Sequence, residues 1–266
     1  MSRSPVPSVL AVFAHPDDEL FHAGATLAYL AERGARVTLA CATKGEAGKA
    51  HPLVGPVDDI GALRAEELRA ACAVLGIDAP TFLGFHDSAR KERLRRNDPR
   101  ALANVDMLEV ETAILGVIRD VEPQVMITFD PHGGYYHPDH VAVHRAATAA
   151  FYSSGVMGER APSRLFYSTF SVDAYREHAR RIQGSGITDG LDPEVFAVSR
   201  ETAAFVFDAR PYWDRKVAVF NAHRSAFGQD GKKLEGFRPI LEEEVFILGG
   251  VRGAVAQWPL QHLLPS

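Results

Sequence analysis

The sequence predicts an α/β fold: a Rossmann-like, mostly parallel sheet with helices on both faces and a polar site at the carboxyl ends of its strands. Two observations predict it. Short apolar runs rich in β-branched residues alternate with helical patterns up to about residue 150, the order that builds parallel strand–helix–strand units. The first of these runs also stops abruptly in His15-Pro16-Asp17-Asp18-Glu19. Such groups are costly to bury unpaired, so the strand must deliver them to a cleft at its carboxyl end, where open α/β sheets keep their ligands.

Taken in order, residues 9–14 read as a fully buried strand, and Pro16 fixes φ and lets a helix start just beyond it. Leu20, Leu27, Leu30 and many alanines predict one helix over 20–33, closed by Gly34. Residues 37–42 are a second strand. Gly45 and Gly48 then mark either a loop passing close to the site or a turn with solvated charges. Residues 51–59, punctuated by proline and glycine, are a surface loop. A helix over 62–75 ends at Gly76, and 81–83 is a third short strand. The stretch 87–104 crowds Arg90, Lys91, Arg93, Arg95 and Arg96 together and is too long for an ordinary connection. It reads as a lid on the substrate side or as solvated surface. Met107, Val110, Ile114, Val117, Ile118 and Val121 mark an amphipathic helix before a fourth strand at 125–129.

Beyond Tyr152 the pattern weakens. Strands are expected at 166–170, 195–198 and 205–207, a loop at 184–193, a helix at 212–223, and a late strand led in by Glu242, Glu243 and Glu244. No linker or internal repeat interrupts the chain, so residues 1–266 are expected to form a single domain, with the weaker pattern from about 153 onward.

A chain of 266 residues with 46% apolar content is long enough to bury about three-quarters of its unfolded surface. A net charge of −5 without a basic-aromatic patch argues against nucleic acid or an anionic membrane surface as partners. The N-terminal apolar run is too short for a signal peptide and no stretch reaches transmembrane length. Cys41 and Cys72 are the only cysteines and fall in predicted elements, which suits core thiols in a reducing cytoplasm. With no phosphate-binding glycine loop, the sheet does not imply a dinucleotide. The sequence leaves open whether the chain forms a homo-oligomer.

His15 and Asp18, three apart across a turn, can converge on one point, and an imidazole with a carboxylate suits a divalent metal. A polar helix cap beside a surface histidine would use the same residues. The second half of the site is FDPHGGYYHPDHVAVH at 129–144. There Pro138 opens a helix on which His137, His140 and His144 share one face. Spacing alone does not say which of the three touches a metal.

AHPDDE at 14–19 together with HPDH at 137–140 resembles the LmbE-like (PIG-L) family of zinc-dependent N-deacetylases acting on N-acetylglucosaminyl conjugates. Thr43-Lys44-Gly45-Glu46-Ala47-Gly48, Arg64 with Glu67, and Leu83-Gly84-Phe85-His86-Asp87 match further, in order. Lys216 and His223-Arg224-Ser225 resemble a late family segment, but Ala226 stands where that segment usually has glutamine, so no role is carried onto it. The resemblance implies a Zn2+ centre, with Fe2+ as the other candidate, ligated by His15, Asp18 and His140. It implies Asp17 as general base on the attacking water, and His137 as the group that stabilises the oxyanion and protonates the leaving amine. Asp139 would orient His137, or cap the helix, and Tyr135 would help at the oxyanion. Arg64 and Asp87 would hydrogen-bond sugar hydroxyls, unless Arg64 simply pairs with Glu67. The implied substrate is a small-molecule amino-sugar conjugate. Two other readings compete. A non-haem iron oxygenase shares the two-histidine-one-carboxylate set but is more often built on a β-barrel. A non-catalytic sugar-binding relative would have no use for the extra base Asp17.

Overall fold

The computed structural model describes residues 6–182, 192–253 and 263–264. The chain opens with β1 (Ser8–Phe13), buried along its whole length, then α1 (Asp18–His22), α2 (Gly24–Glu32), β2 (Arg36–Cys41), α3 (Ile60–Leu75) and β3 (Thr81–Phe82). It continues through α4 (Met107–Val121), β4 (Val125–Phe129), the single turn α5 (Gly133–Tyr136), α6 (Pro138–Ser153) and β5 (Arg164–Thr169). The C-terminal part adds α7 (Val172–Arg181), α8 (Pro193–Phe196), β6 (Phe205–Asp208), α9 (Trp213–Ala222), α10 (Arg224–Phe227), α11 (Gly231–Leu241) and β7 (Glu243–Val251).

The strands form one sheet in the order β3-β2-β1-β4-β5-β7-β6. The first five pair in parallel, with Ala11 beside Leu39 on one neighbour and Ile127 on the other, and β7 runs antiparallel between β5 and β6. Helices α4 and α6 pack on each other and on β1 and β4, while α2, α3 and α9 form a second group with α2 against β2. Val9, Leu10, Val12, Ile114, Phe129 and Phe166 are fully buried between them. After β1 the chain turns toward β2, and after β4 toward β5. The two loops diverge and leave a crevice at the carboxyl ends of β1 and β4, the place such sheets use for ligands.

The helix expected over 20–33 is two helices. Ala23, at φ −156°, breaks it, and α2 starts afresh because the Glu244 carboxylate on β7 accepts from Ala25 N at 2.8 Å and Thr26 N at 2.7 Å. That carboxylate lies 2.7 Å from Lys216 Nζ, and both side chains are buried. The strand expected at 195–198 is mostly helix: Pro193 opens α8, Asp192 caps it, and only Val198 makes a β-bridge, to Ser171. Turn chemistry overrode the β-branched content there. The loop expected at 184–193 falls, up to 191, outside the described residues. Helix α7 escapes the apolar pattern because only Tyr175 and His178 of its ten residues are buried.

Removing one partner of the Lys216–Glu244 pair strands a buried charge, which costs about 3–5 kcal/mol. Lys216→Met should therefore lower the urea midpoint markedly, and adding Glu244→Gln should recover part of the loss. A midpoint unchanged in Lys216→Met would show that the pair does not carry the α2–β7 junction.

Candidate active site

His15, Asp17, Asp18, Arg64, Asp87, Tyr135 and His137 line a single cavity of about 490 Å³ in this crevice. Asp139 and His140 are fully buried. The sequence therefore brings all nine expected site residues to one place, although not every one makes the contact expected of it.

β1 carries His15 to the crevice, and the Pro16 turn folds Asp18 back beneath it. Asp18 Oδ2 accepts from Ala14 N at 3.1 Å and from His15 N at 2.7 Å, leaving Oδ1 to face His140 Nε2 at 3.2 Å. His140 is held from behind, with Nδ1 donating to Gly133 O at 2.9 Å. Gly133, at φ +60°, is needed here because a Cβ on it would overlap that of His140. His15 Nε2 lies 3.0 Å from Asp139 Oδ2 and 3.6 Å from Asp87 Oδ1, so its proton belongs on that side. These bonds assign the tautomers and leave bare nitrogens on His15 Nδ1 and His140 Nε2, only 3.1 Å apart. Asp18 stands 3.7 Å from the first and 3.2 Å from the second.

Electron pairs gathered this closely require a cation or a proton among them. Burial opposes protonation of His15, yet Asp87, Asp139 and Asp18 outweigh it and raise its pKa well above the ordinary imidazole value. Asp18, despite burial, is held far below the usual carboxylate range by His140 and His15. Asp139 Oδ1 is also buried with no hydrogen-bond partner among the described residues. Imidazole nitrogen with carboxylate oxygen is a donor set that fits zinc or iron(II). His137 is the alternative third nitrogen, since it brings a ligand atom within 4.8 Å of His15 and His140.

Asp17 sits beside these donors in a left-handed conformation at φ 104°, a strained setting for a residue other than glycine. Burial pushes its pKa up, Arg64 opposes that, and Asp18 adds to it. Arg64 Nη2 donates to Asp17 Oδ2 at 3.1 Å and to Pro16 O at 2.5 Å, and Nη1 donates to Gly45 O at 2.9 Å. A side chain on Gly45 would overlap this guanidinium, so the glycine loop does pass close to the site. Arg64 thus pairs with Asp17 and not with Glu67. Glu67 binds Ser225 instead, through its backbone N at 2.9 Å and its hydroxyl at 2.5 Å.

The partner of Asp139 differs from expectation as well. Its carboxylate is 4.0 Å from His137 Nδ1 but 3.0 Å from His15 Nε2, and it also accepts from Ser88 N at 2.9 Å. It is the Asp139 backbone N–H, at 3.2 Å, that binds His137 Nδ1, because His137 occupies the N-cap position of α6. That bond leaves the His137 proton on Nε2. Burial, then His15 and His140, push the His137 pKa well below normal, so the ring is neutral. Burial also raises the Tyr135 hydroxyl, which stays a phenol, and the Arg90 guanidinium stacks 5.0 Å over its ring. His144 donates from Nδ1 to Phe129 O at 2.9 Å and serves packing against β4.

Sequence reasoning missed the support behind Asp17. Glu19 Oε2 accepts from Asp17 N at 3.1 Å, and its Oε1 meets His223 Nε2 at 2.5 Å. Burial works against charge on His223, but Glu19 raises its pKa nonetheless. The third acidic residue of the 15–19 cluster was the available signal, and the late His223 segment was its unrecognised counterpart.

Residues 10–151 match the PIG-L family, described as GlcNAc-PI de-N-acetylase. A 1D-myo-inositol 2-acetamido-2-deoxy-alpha-D-glucopyranoside deacetylase from Acidothermus cellulolyticus is 35% identical over 245 residues, 85% of this chain and 82% of the relative. The protein of the same name from Rhodococcus opacus is 36% identical over 275 residues, 93% of this chain and 92% of its own. In structure, N,N'-diacetylchitobiose deacetylase from Pyrococcus horikoshii superposes with a TM-score of 0.64 at 17% identity, covering 92% of this chain and 84% of that one. A 4-carboxy-2-hydroxymuconate hydratase from Pseudomonas putida also reaches 0.64, at 19% identity over 95% of this chain and all (100%) of that one. Structural likeness at this level reports the fold and leaves the reaction to the site. The sequence matches go further: the chain belongs to the PIG-L family of deacetylases.

Proposed function

We propose that this chain is a metal-dependent hydrolase that removes the N-acetyl group from an N-acetylglucosaminyl conjugate or related amino sugar, and that it works as one domain. The observation that carries this is the convergence of His15 Nδ1, His140 Nε2 and the Asp18 carboxylate, with a further carboxylate, Asp17, beside them. His15, Asp18 and His140 would hold the ion, zinc or iron(II). A bound divalent metal supplies Lewis acidity to the amide carbonyl and acidifies water.

Asp17 takes the proton from the attacking water. Its raised pKa makes it a better base near neutrality, and Arg64 and Glu19 hold it in place. His137, neutral with its proton on Nε2, donates a hydrogen bond to the developing oxyanion, Tyr135 assists as a phenol donor, and the proton that Asp17 took from water passes to the leaving amine. Asp139 fixes the ring of His15, the role that carboxylates usually play behind a ligating histidine. Asp87 faces the cavity and accepts from a sugar hydroxyl. Arg64 serves the substrate only through Asp17. No helix among the described residues is long and apolar enough to cross a membrane. Together with two buried free thiols, this suits a cytoplasmic enzyme. The oxygenase reading loses support from the family, and the binding-module reading from the strained, braced Asp17.

Chelation should abolish release of free amine from N-acetylglucosaminyl conjugates, and added Zn2+ or Fe2+ should restore it. Alanine at His15, Asp18 or His140 should each lower bound metal per chain by elemental analysis. Full metal content in His140→Ala alongside loss in His137→Ala would move the third ligand to His137.

Asp17→Asn should keep its metal and lose about 10²- to 10⁴-fold in kcat. Asp139→Asn should instead weaken metal affinity about 10- to 100-fold. If Asp139→Asn changed only the turnover of a fully loaded enzyme, its carboxylate would belong to the reaction and not to His15.

A further inference from the structure

The connection after β3 and the turn between β4 and α6 both reach the cavity, and one contact joins them. The Arg90 guanidinium lies 5.0 Å from the centroid of the Tyr135 ring, over its face, and both residues line the cavity. Among the described residues that guanidinium makes no hydrogen bond or ion pair, and the Tyr135 hydroxyl makes no hydrogen bond. Tyr135 is therefore held through its ring alone. The imidazoles of His140, at 5.0 Å, and His137, at 6.0 Å, both stand at 74° to that ring, and Arg90 covers its face. The backbone gives little help, because Tyr135 follows two glycines in a single turn that is not regular helix. Gly134 is at φ 71°, Tyr135 at φ −148° and ψ 25°, and Tyr136 at φ 63°.

Arg90 is mounted far more firmly. Its neighbours Ala89 and Lys91 are both left-handed, at φ 55° and 54°, a sparsely populated setting for residues with a Cβ. Asp87 Oδ1 accepts from Ala89 N at 2.7 Å, Ser88 N donates to Asp139 Oδ2 at 2.9 Å, and Arg93 N donates to Arg90 O at 3.2 Å. Two strained positions around one side chain at the edge of a site point to a use for that side chain's direction. A guanidinium within about 6 Å of a ring centroid is drawn to the negative face, and its plane can stack there as an ammonium cannot. The charge counts as well: Asp18, Asp17 and Asp87 act on the Tyr135 hydroxyl, and Arg90 opposes them.

We propose that Arg90 is a positioning residue, whose guanidinium clamps the face of the Tyr135 ring and so aims the phenol hydroxyl at the oxygen of the reacting amide. This rests on the deacetylase reading and deepens it. Tyr135 touches the reacting atoms, and Arg90 acts through Tyr135.

The test uses the metal-loaded protein and 1D-myo-inositol 2-acetamido-2-deoxy-alpha-D-glucopyranoside as substrate. Arg90→Met, which keeps the length and removes the cation, should lower kcat about 2- to 30-fold, the range such a contact is worth, with KM and bound metal nearly unchanged. Arg90→Lys, which keeps the charge without the planar stack, should fall between Arg90→Met and wild type. Combined with Tyr135→Phe, Arg90→Met should cost little more than Tyr135→Phe alone, because the hydroxyl to be aimed is gone. A second readout needs no turnover: fluorine NMR of 3-fluorotyrosine placed at position 135 should give one narrow resonance that shifts and broadens in Arg90→Met. An equal loss from Arg90→Met with and without Tyr135→Phe, or a loss confined to KM, would make Arg90 a contact of the substrate and overturn the proposal. An unmoved fluorine resonance, or full kcat in Tyr135→Phe, overturns it too. A resonance that moves as expected in a protein that cleaves no amide would keep the clamp and sink the deacetylase reading alone.

Discussion

The buried carboxylates around the end of β1 each have to meet a partner, and the rest of the structure is arranged around that requirement. β1 carries an imidazole and three carboxylates out of a dry core within five residues, and unpaired ions there would cost more than the fold can spare. Asp17 meets Arg64, Glu19 meets His223, and Asp139 and Asp87 meet His15. Asp18 takes two backbone amides and then faces His140. Each partner comes from a different element, so the counter-charges also act as the ties that draw helices, loops and the C-terminal segment onto one end of the sheet.

The same ties hold a backbone that would not hold itself. A non-glycine residue in the left-handed region is uphill by on the order of 1–3 kcal/mol, and Asp17 stays there because its N–H is fixed by Glu19 and its carboxylate by Arg64. A carboxylate locked in this way has little freedom left to lose, which is what the role proposed for Asp17 would call for.

Much of this was legible in the sequence wherever the signal was local. The β1 to β4 strands and helices α3 and α4 follow from periodicity, with Gly76 closing α3, and His15, Asp18, His137 and His140 stand out through spacing after a strand. What was not legible depends on distance along the chain. The break between α1 and α2 is imposed by Glu244, more than 200 residues away (|i−j| 219), and the brace on Asp17 comes from His223, 204 residues from Glu19. The spacing of Asp139 and His137 suggested a side-chain pair. The helix N-cap gives that bond to the backbone amide and frees the carboxylate for His15.

The family match ends at residue 151, yet the brace behind Asp17 lies beyond it, at the junction of α9 and α10. His223 ends α9, Phe227 lies in the turn that follows, and Ser225 between them binds Glu67 on the helix that bears Arg64. Remodelling this corner for a new ligand would therefore disturb the counter-ion of Glu19 and the seat of Arg64 together. The N-terminal motif half could not be grafted onto a foreign C-terminal segment without bringing this corner along.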